Sequence, residues 1–158
     1  MSKIVLPIAC RVDGTSLSDG RSLLSELQAV NPVDDGLGPE LTTNGSFDTD
    51  TVWTKGLDWT ISGGALRKDP GIANSGTSEP ITLVGGLTYR VVFNASALSG
   101  GPIRAQFTGG IQANGTLRTL PGLYSEDIVA GVGNLLLEFF GASGAMPVIE
   151  YVSVREVL

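Results

Sequence analysis

Paired glycines recur at short intervals through most of this chain, and that spacing confines the residues between them to short extended segments. The turns fall at Gly63-Gly64, Gly85-Gly86, Gly100-Gly101-Pro102, Gly109-Gly110, Asn114-Gly115 and Gly131-Val132-Gly133. Glycine reaches the left-handed backbone conformations that tight turns need, and proline and asparagine reinforce the break. The runs between the turns are rich in Val, Ile, Leu, Thr and aromatic residues. Predicted strands are Asp58–Ser62, Ala65–Lys68, Glu79–Leu83, Leu87–Asn94, Ile103–Phe107, Leu123–Val129, Asn134–Phe140 and Val148–Val157. Short strands with regular turn signals predict an all-β sandwich or jelly roll.

Alternation supports this in Leu87-Thr88-Tyr89-Arg90-Val91-Val92-Phe93-Asn94. There Leu87, Tyr89, Val91 and Phe93 share one face, as a half-buried strand requires. In the last predicted strand Ile149 and Val152 both read as core residues at an odd spacing. A β-bulge near Glu150-Tyr151 reconciles them. The stretch Asn44-Gly45-Ser46-Phe47-Asp48 and the run Val148–Val154 read as the first and last strands of the sandwich, lying side by side.

Residues 1–39 follow a different pattern. An apolar piece, Ile4–Ala9, precedes a turn at Asp13-Gly14. Ser16 or Ser18 then caps a predicted helix that runs to the neighbourhood of Ala29, with Leu23, Leu24, Leu27 and Val30 on one face. A helix of about three turns is marginal alone in water, so it is expected to dock on the β-domain or on another subunit. Leu23, Leu24 and Leu27 are the expected partner-docking face. Asn31-Pro32 ends the helix, and Asp34–Pro39 reads as a linker. The expected organisation is therefore an N-terminal anchoring arm over 1–39 and a jelly-roll β-sandwich over 40–158.

Charge narrows the partners. The net charge is -6, and the ten Lys and Arg are scattered, so bare nucleic acid is not an expected partner. The opening Met1–Cys10 is too short and interrupted for a signal peptide or a membrane helix, which implies synthesis in a cytoplasm without Sec export and no membrane partner. The single cysteine, Cys10, permits no intrachain disulfide and is expected to be a buried, inert thiol. Charged residues make up only 16% of the chain, against a usual value of about a quarter. Such a surface fits a sandwich that needs few charges, and equally one that partners cover.

Histidine is absent, which removes Ser-His-Asp triads, Cys-His dyads and imidazole-ligated metals. No phosphate-binding glycine loop occurs. Carboxylate catalysis would have to use Asp48 with Asp50 or Glu126 with Asp127. Each pair also fits an exposed turn or strand edge, and the chain is expected not to be an enzyme. Among the aromatics, Trp53 and Tyr124 are candidates for stacking on a sugar ring, with core packing as the competing reading, whereas Trp59 reads as core. Asp48 and Glu150 are a possible calcium pair if their strands are neighbours; the alternative is an acidic turn and a solvent-facing glutamate. No other cofactor is expected.

The stretch Glu40–Asp50, with Trp53-Thr54 and Trp59-Thr60-Ile61-Ser62-Gly63-Gly64-Ala65, resembles the opening of carbohydrate-binding-module-like jelly-roll domains found in bacteriophage structural proteins. Val152–Val157 is similar to their closing strand. The resemblance covers residues 40–158 and implies a non-enzymatic virion protein. Capsid decoration is the leading expectation, with the arm docked on other virion proteins of capsid or tail in a homo-oligomer. The alternative it implies is a glycan-binding module of a tail or head fibre that adheres to host polysaccharide. The family's closing strand often carries Asp where Glu150-Tyr151 stands here.

Overall fold

Eleven strands run through residues 35–158, which the computed structural model describes. Most of the expected arm over 1–39, with its helix, Leu23, Leu24, Leu27 and Cys10, lies outside the described residues. The strands are β1 (Leu37–Glu40), β2 (Thr54–Lys55), β3 (Trp59–Ile61), β4 (Leu66–Lys68), β5 (Ser75–Pro80), β6 (Thr88–Ala97), β7 (Ile103–Thr108), β8 (Ala113–Asn114), β9 (Gly122–Val129), β10 (Leu136–Gly141) and β11 (Val148–Val157). All the pairings among them are antiparallel. One sheet has the order β3-β4-β11-β6-β9, with β1 also beside β11; the other has the order β2-β5-β10-β7-β8. The described residues form an all-β jelly-roll sandwich.

The core lies between the sheets because each central strand alternates. Tyr89, Val91, Phe93 and Ala95 of β6 point inward, as do Ile103, Ala105 and Phe107 of β7 and Leu137 and Phe139 of β10. Rings interlock across the layers: Phe93 meets Phe139 edge-on at 5.3 Å, and Tyr89 meets Phe107 edge-on at 5.9 Å. Edge-to-face contacts of this kind add about 0.5–1.5 kcal/mol each beyond area burial. Leu87 departs from the expected face; it precedes β6 and is exposed. The expected bulge in β11 is present. Ile149 pairs with Ala95 and Tyr151 with Asn94, so two steps on β11 match one on β6.

Other boundaries shift. The strand expected at Glu79–Leu83 begins upstream at Ser75, because the polar run Ser75–Ser78 pairs with β10 along its whole length. Leu37–Pro39, read as the end of a linker, joins Glu40 in strand β1 against the end of β11. Pro39 is tolerated there because β1 pairs only with β11.

The stretch Asn44–Asp48 is a loop, not a first strand, yet it does lie beside the closing strand. Val152 N–H donates to Gly45 O at 2.8 Å, and Leu41 N–H donates to Val154 O at 2.9 Å. Asn44 organises this loop. Its Nδ2 donates to Thr49 O at 2.6 Å and Thr51 O at 3.3 Å. Its own N–H donates to the buried Glu79 carboxylate at 3.1 Å, beside Thr43 N–H at 2.7 Å. Phe47 takes a φ of 56°, uncommon for a bulky residue, and its ring is buried.

Candidate functional site: the outer face of the five-stranded sheet

Strand β10 contains Leu136-Leu137-Glu138-Phe139-Phe140, a run apolar on both faces except at Glu138. Leu137 and Phe139 fill the core, which leaves Leu136, Glu138 and Phe140 on the outside of the sheet. Glu138 is paired with Ser78 of β5 on one side and Gln106 of β7 on the other. Gln106 in turn pairs with Asn114 of β8, and Ser78 with Thr54 of β2. Because directly opposed residues share a face, one polar row crosses all five strands: Thr54, Ser78, Glu138, Gln106, Asn114. Gly76, Phe140 and Arg104 form the row on one side of it, and Pro80, Leu136 and Thr108 the row on the other.

Gln106 is the hub. Although it lies on the outside of the sheet, it is only 2% exposed. Its Oε1 accepts from Arg104 Nε at 2.7 Å and from Gln112 Nε2 at 3.0 Å. Its Nε2 donates to Glu138 Oε1. Gln112 Nε2 also donates to Asn114 Oδ1 at 2.8 Å. Arg104 is held from a second direction, with its guanidinium carbon 5.0 Å from the centroid of the Phe140 ring. Gly76 completes the arrangement: a Cβ there would lie 2.7 Å from Glu138 Cδ, so the absent side chain makes room for the carboxylate.

This face presents oriented donors and acceptors whose rotamers are fixed before any ligand arrives. Glu138 Oε2 accepts no hydrogen bond among the described residues. Arg104 keeps both terminal amino groups, Nη1 and Nη2, uncommitted among the described residues. Half-buried Leu136 and Phe140 flank the polar row with apolar surface. Fixed polar groups between apolar patches suit a ligand with hydroxyls along a ring of C–H groups.

The residues singled out from the sequence lie elsewhere. Trp53 is 5% exposed, stacked on Phe139 at 6.1 Å and tilted against Phe47 at 5.4 Å, with its indole N–H donated to Asn44 O at 3.1 Å. It has no face for a sugar and serves the core. Tyr124 is half-buried between Phe93, at 5.2 Å, and the Arg118 guanidinium, at 4.5 Å, so its ring is not an open platform either.

Glu126 and Asp127 do not act as a pair. Glu126 turns inward, accepting from Thr116 N–H at 2.8 Å and Arg118 at 3.1 Å, and closes the flank between the sheets. Asp127 turns outward into a two-pronged contact with Arg90 at 2.8 and 2.9 Å. Asp48 accepts from Ser46 Oγ at 2.5 Å, and Asp50 pairs with Lys55. Glu150 takes a bond from Asn94 Nδ2 at 3.4 Å. Asp48 and Glu150 are thus engaged with different partners, and among the described residues no group of three or more Asp, Glu, Cys or His is placed to hold a metal ion.

Sequence reasoning passed over Arg104, Gln106, Gln112, Asn114 and Glu138. The available signal was the lone carboxylate in β10, with large apolar residues at both outward positions beside it. A strand with a purely solvated outer face would carry polar residues there.

The sandwich is similar to several solved structures. The enzymatically active domain of tailspike protein 4 from bacteriophage CBA120 aligns with a TM-score of 0.52 at 16% identity. That alignment covers 75% of this chain and 21% of the tailspike chain, so the match spans about a fifth of the larger protein. A CBM4 carbohydrate-binding module gives a TM-score of 0.46 at 13% identity, covering 72% of this chain and 98% of that one. The CBM22-1-GH10 modules of xylanase 10B from Clostridium thermocellum, complexed with xylohexaose, give 0.45 at 15% identity, over 76% and 28% of the two chains. No protein-family model matches the chain, and no curated protein matches its sequence. At this identity the tailspike likeness establishes a shared fold.

Proposed function

We propose that this domain is a non-catalytic glycan-binding module whose sugar face is the outside of the five-stranded sheet. The observation that carries the reading is Gln106. A surface amide with no task would be solvated and mobile. This one is buried and bonded to Arg104, Gln112 and Glu138. Such a network restricts the side-chain freedom of four residues, a loss of entropy that a merely solvated face avoids. Glu138 accepts sugar hydroxyls, Asn114 and Arg104 donate to them, and Leu136 and Phe140 supply apolar contact beside the row.

Adhesion through a phage tailspike or fibre is the setting we favour. Support for it is the fold shared with a domain of a phage tailspike. Nothing in the sandwich favours capsid decoration, whose docking leucines, Leu23, Leu24 and Leu27, fall outside the described residues. A glycan array probed with the wild-type chain and with Glu138→Gln tests the reading. Binding by wild type that drops at least about tenfold in the variant is the expected result. Absence of wild-type binding across bacterial polysaccharides removes it.

A further inference from the structure

We infer that the glycan carries a carboxylate, and that Arg104 is the group that recognises it. The inference rests on the sugar-binding reading above and names the class of sugar.

Three ion pairs occur among the described residues, and they use Lys55, Arg90 and Arg118. Arg104 is not among these. Its Nε is spent on Gln106 Oε1 at 2.7 Å, and its plane rests on Phe140. These two contacts fix the guanidinium and leave Nη1 and Nη2 as a fork with no hydrogen-bond partner among the described residues. A guanidinium fork matches a carboxylate in a two-pronged, charge-assisted arrangement, stronger than the same donors on a neutral hydroxyl. Little of the usual ordering cost remains, because the side chain is already held.

Glu138 does not neutralise this fork. It stands in the neighbouring row, and Gln106 lies between the two charges, accepting from Arg104 and donating to Glu138. No ion pair joins them. The three rows of the face therefore contain one cation and one anion, held apart by an amide. An anionic group fits at Arg104 and is repelled at Glu138, where a hydroxyl donor fits instead. The matching ligand is an acidic sugar next to a neutral one, such as a uronate alternating with a neutral hexose. A continuous polyuronate would set a second carboxylate against Glu138.

The test uses the full chain on an array that includes neutral glycans, alternating uronate glycans, their carboxyl-reduced derivatives and sulfated neutral glycans. Binding confined to uronate-bearing glycans, falling at least about tenfold on carboxyl reduction, is the expected outcome. Arg104→Lys, which keeps the charge but loses the fork, should then weaken uronate binding by a similar factor while thermal unfolding stays close to wild type. Equal binding of a glycan and its carboxyl-reduced form overturns the inference and leaves the sugar-binding reading standing. So does a preference for sulfated neutral glycans, or full uronate binding by a folded Arg104→Lys. No binding to any glycan overturns both.

Discussion

The indole nitrogen of Trp53 donates to the main-chain oxygen of Asn44 at 3.1 Å, nine residues back along the chain. That bond ties the two most conspicuous residues of the opening motif to each other and to the core. Trp53 brings its ring onto Phe139, and Asn44 spends its amide on Thr49 and Thr51. Trp53→Ala therefore removes a buried aromatic, at a cost of about 3–5 kcal/mol. Asn44→Ala removes two donated bonds inside the loop and costs about 1–3 kcal/mol. Urea unfolding measures both. A Trp53→Ala protein with wild-type stability would show that the ring is not the core element described.

Gly45 is the point of closest approach between the opening loop and the closing strand. A Cβ at this position would lie 2.1 Å from Val152 O and 2.8 Å from Thr42 Oγ1. The first of these is main chain within a strand and cannot rotate away. Gly45→Ala is expected to destabilise the sandwich by about 1–3 kcal/mol through overpacking. Native-state hydrogen exchange should show the loss of protection at Val152 N–H, which bonds Gly45 O. Unchanged exchange at Val152 would contradict the contact.

Two carboxyls with opposite shifts, Glu79 and Glu40, contribute to how stability varies with pH. Burial pushes Glu79 up from its ordinary 4.5, against the pull of the Thr43 and Asn44 N–H groups, and the charge of Glu40 adds to the rise. At Glu40 burial also acts upward, but bonds from Ser153, Val154 N–H and Thr42 outweigh it, and the net value is lowered. A raised value means that the native chain holds its proton more tightly than the unfolded chain does. Stability tied to Glu79 therefore falls as pH climbs from 4.5 through its folded value. Stability tied to Glu40 is complete above 4.5 and is lost as pH drops through its lowered value. Glu79→Gln should flatten the stability curve above 4.5, and Glu40→Gln should flatten it below. Urea melts across the acid range decide this; curves parallel to wild type for both variants would refute it.

Much of the sandwich was legible because strand periodicity and turn chemistry are local properties. Tyr89, Val91 and Phe93 announce an inward face by alternation alone, and the parity slip at Ile149 and Val152 announces a bulge. The strand at Ser75–Ser78 was illegible, since its pairing depends on β10, more than fifty residues away in sequence, and not on its own composition. The site was hidden for the same reason. Trp53 stands out in sequence because it is large, yet size equally suits a core. Gln106, Gln112 and Asn114 are ordinary residues that acquire meaning only when the register sets them beside Glu138.

Gly76 offers a way to separate binding from folding. It lies diagonally across from Glu138, and the three atoms nearest an added Cβ all belong to the Glu138 side chain, at 2.7, 2.9 and 3.1 Å. No main-chain atom is among them, so the carboxylate can move aside while β5 and β10 keep their ladder. Gly76→Ala should leave stability within about 1 kcal/mol of wild type, since only a flexible side chain must shift. It should also pull Glu138 Oε1 away from Gln106 Nε2 and loosen the fixing of Arg104. Glycan affinity is then expected to fall about tenfold, comparable to Glu138→Gln, because the row loses its ordered geometry and not its fold. Thermal unfolding beside binding isotherms reads both quantities. A variant that unfolds early would show that Gly76 is there for the backbone, and a stable variant with undiminished binding would detach Glu138 from recognition.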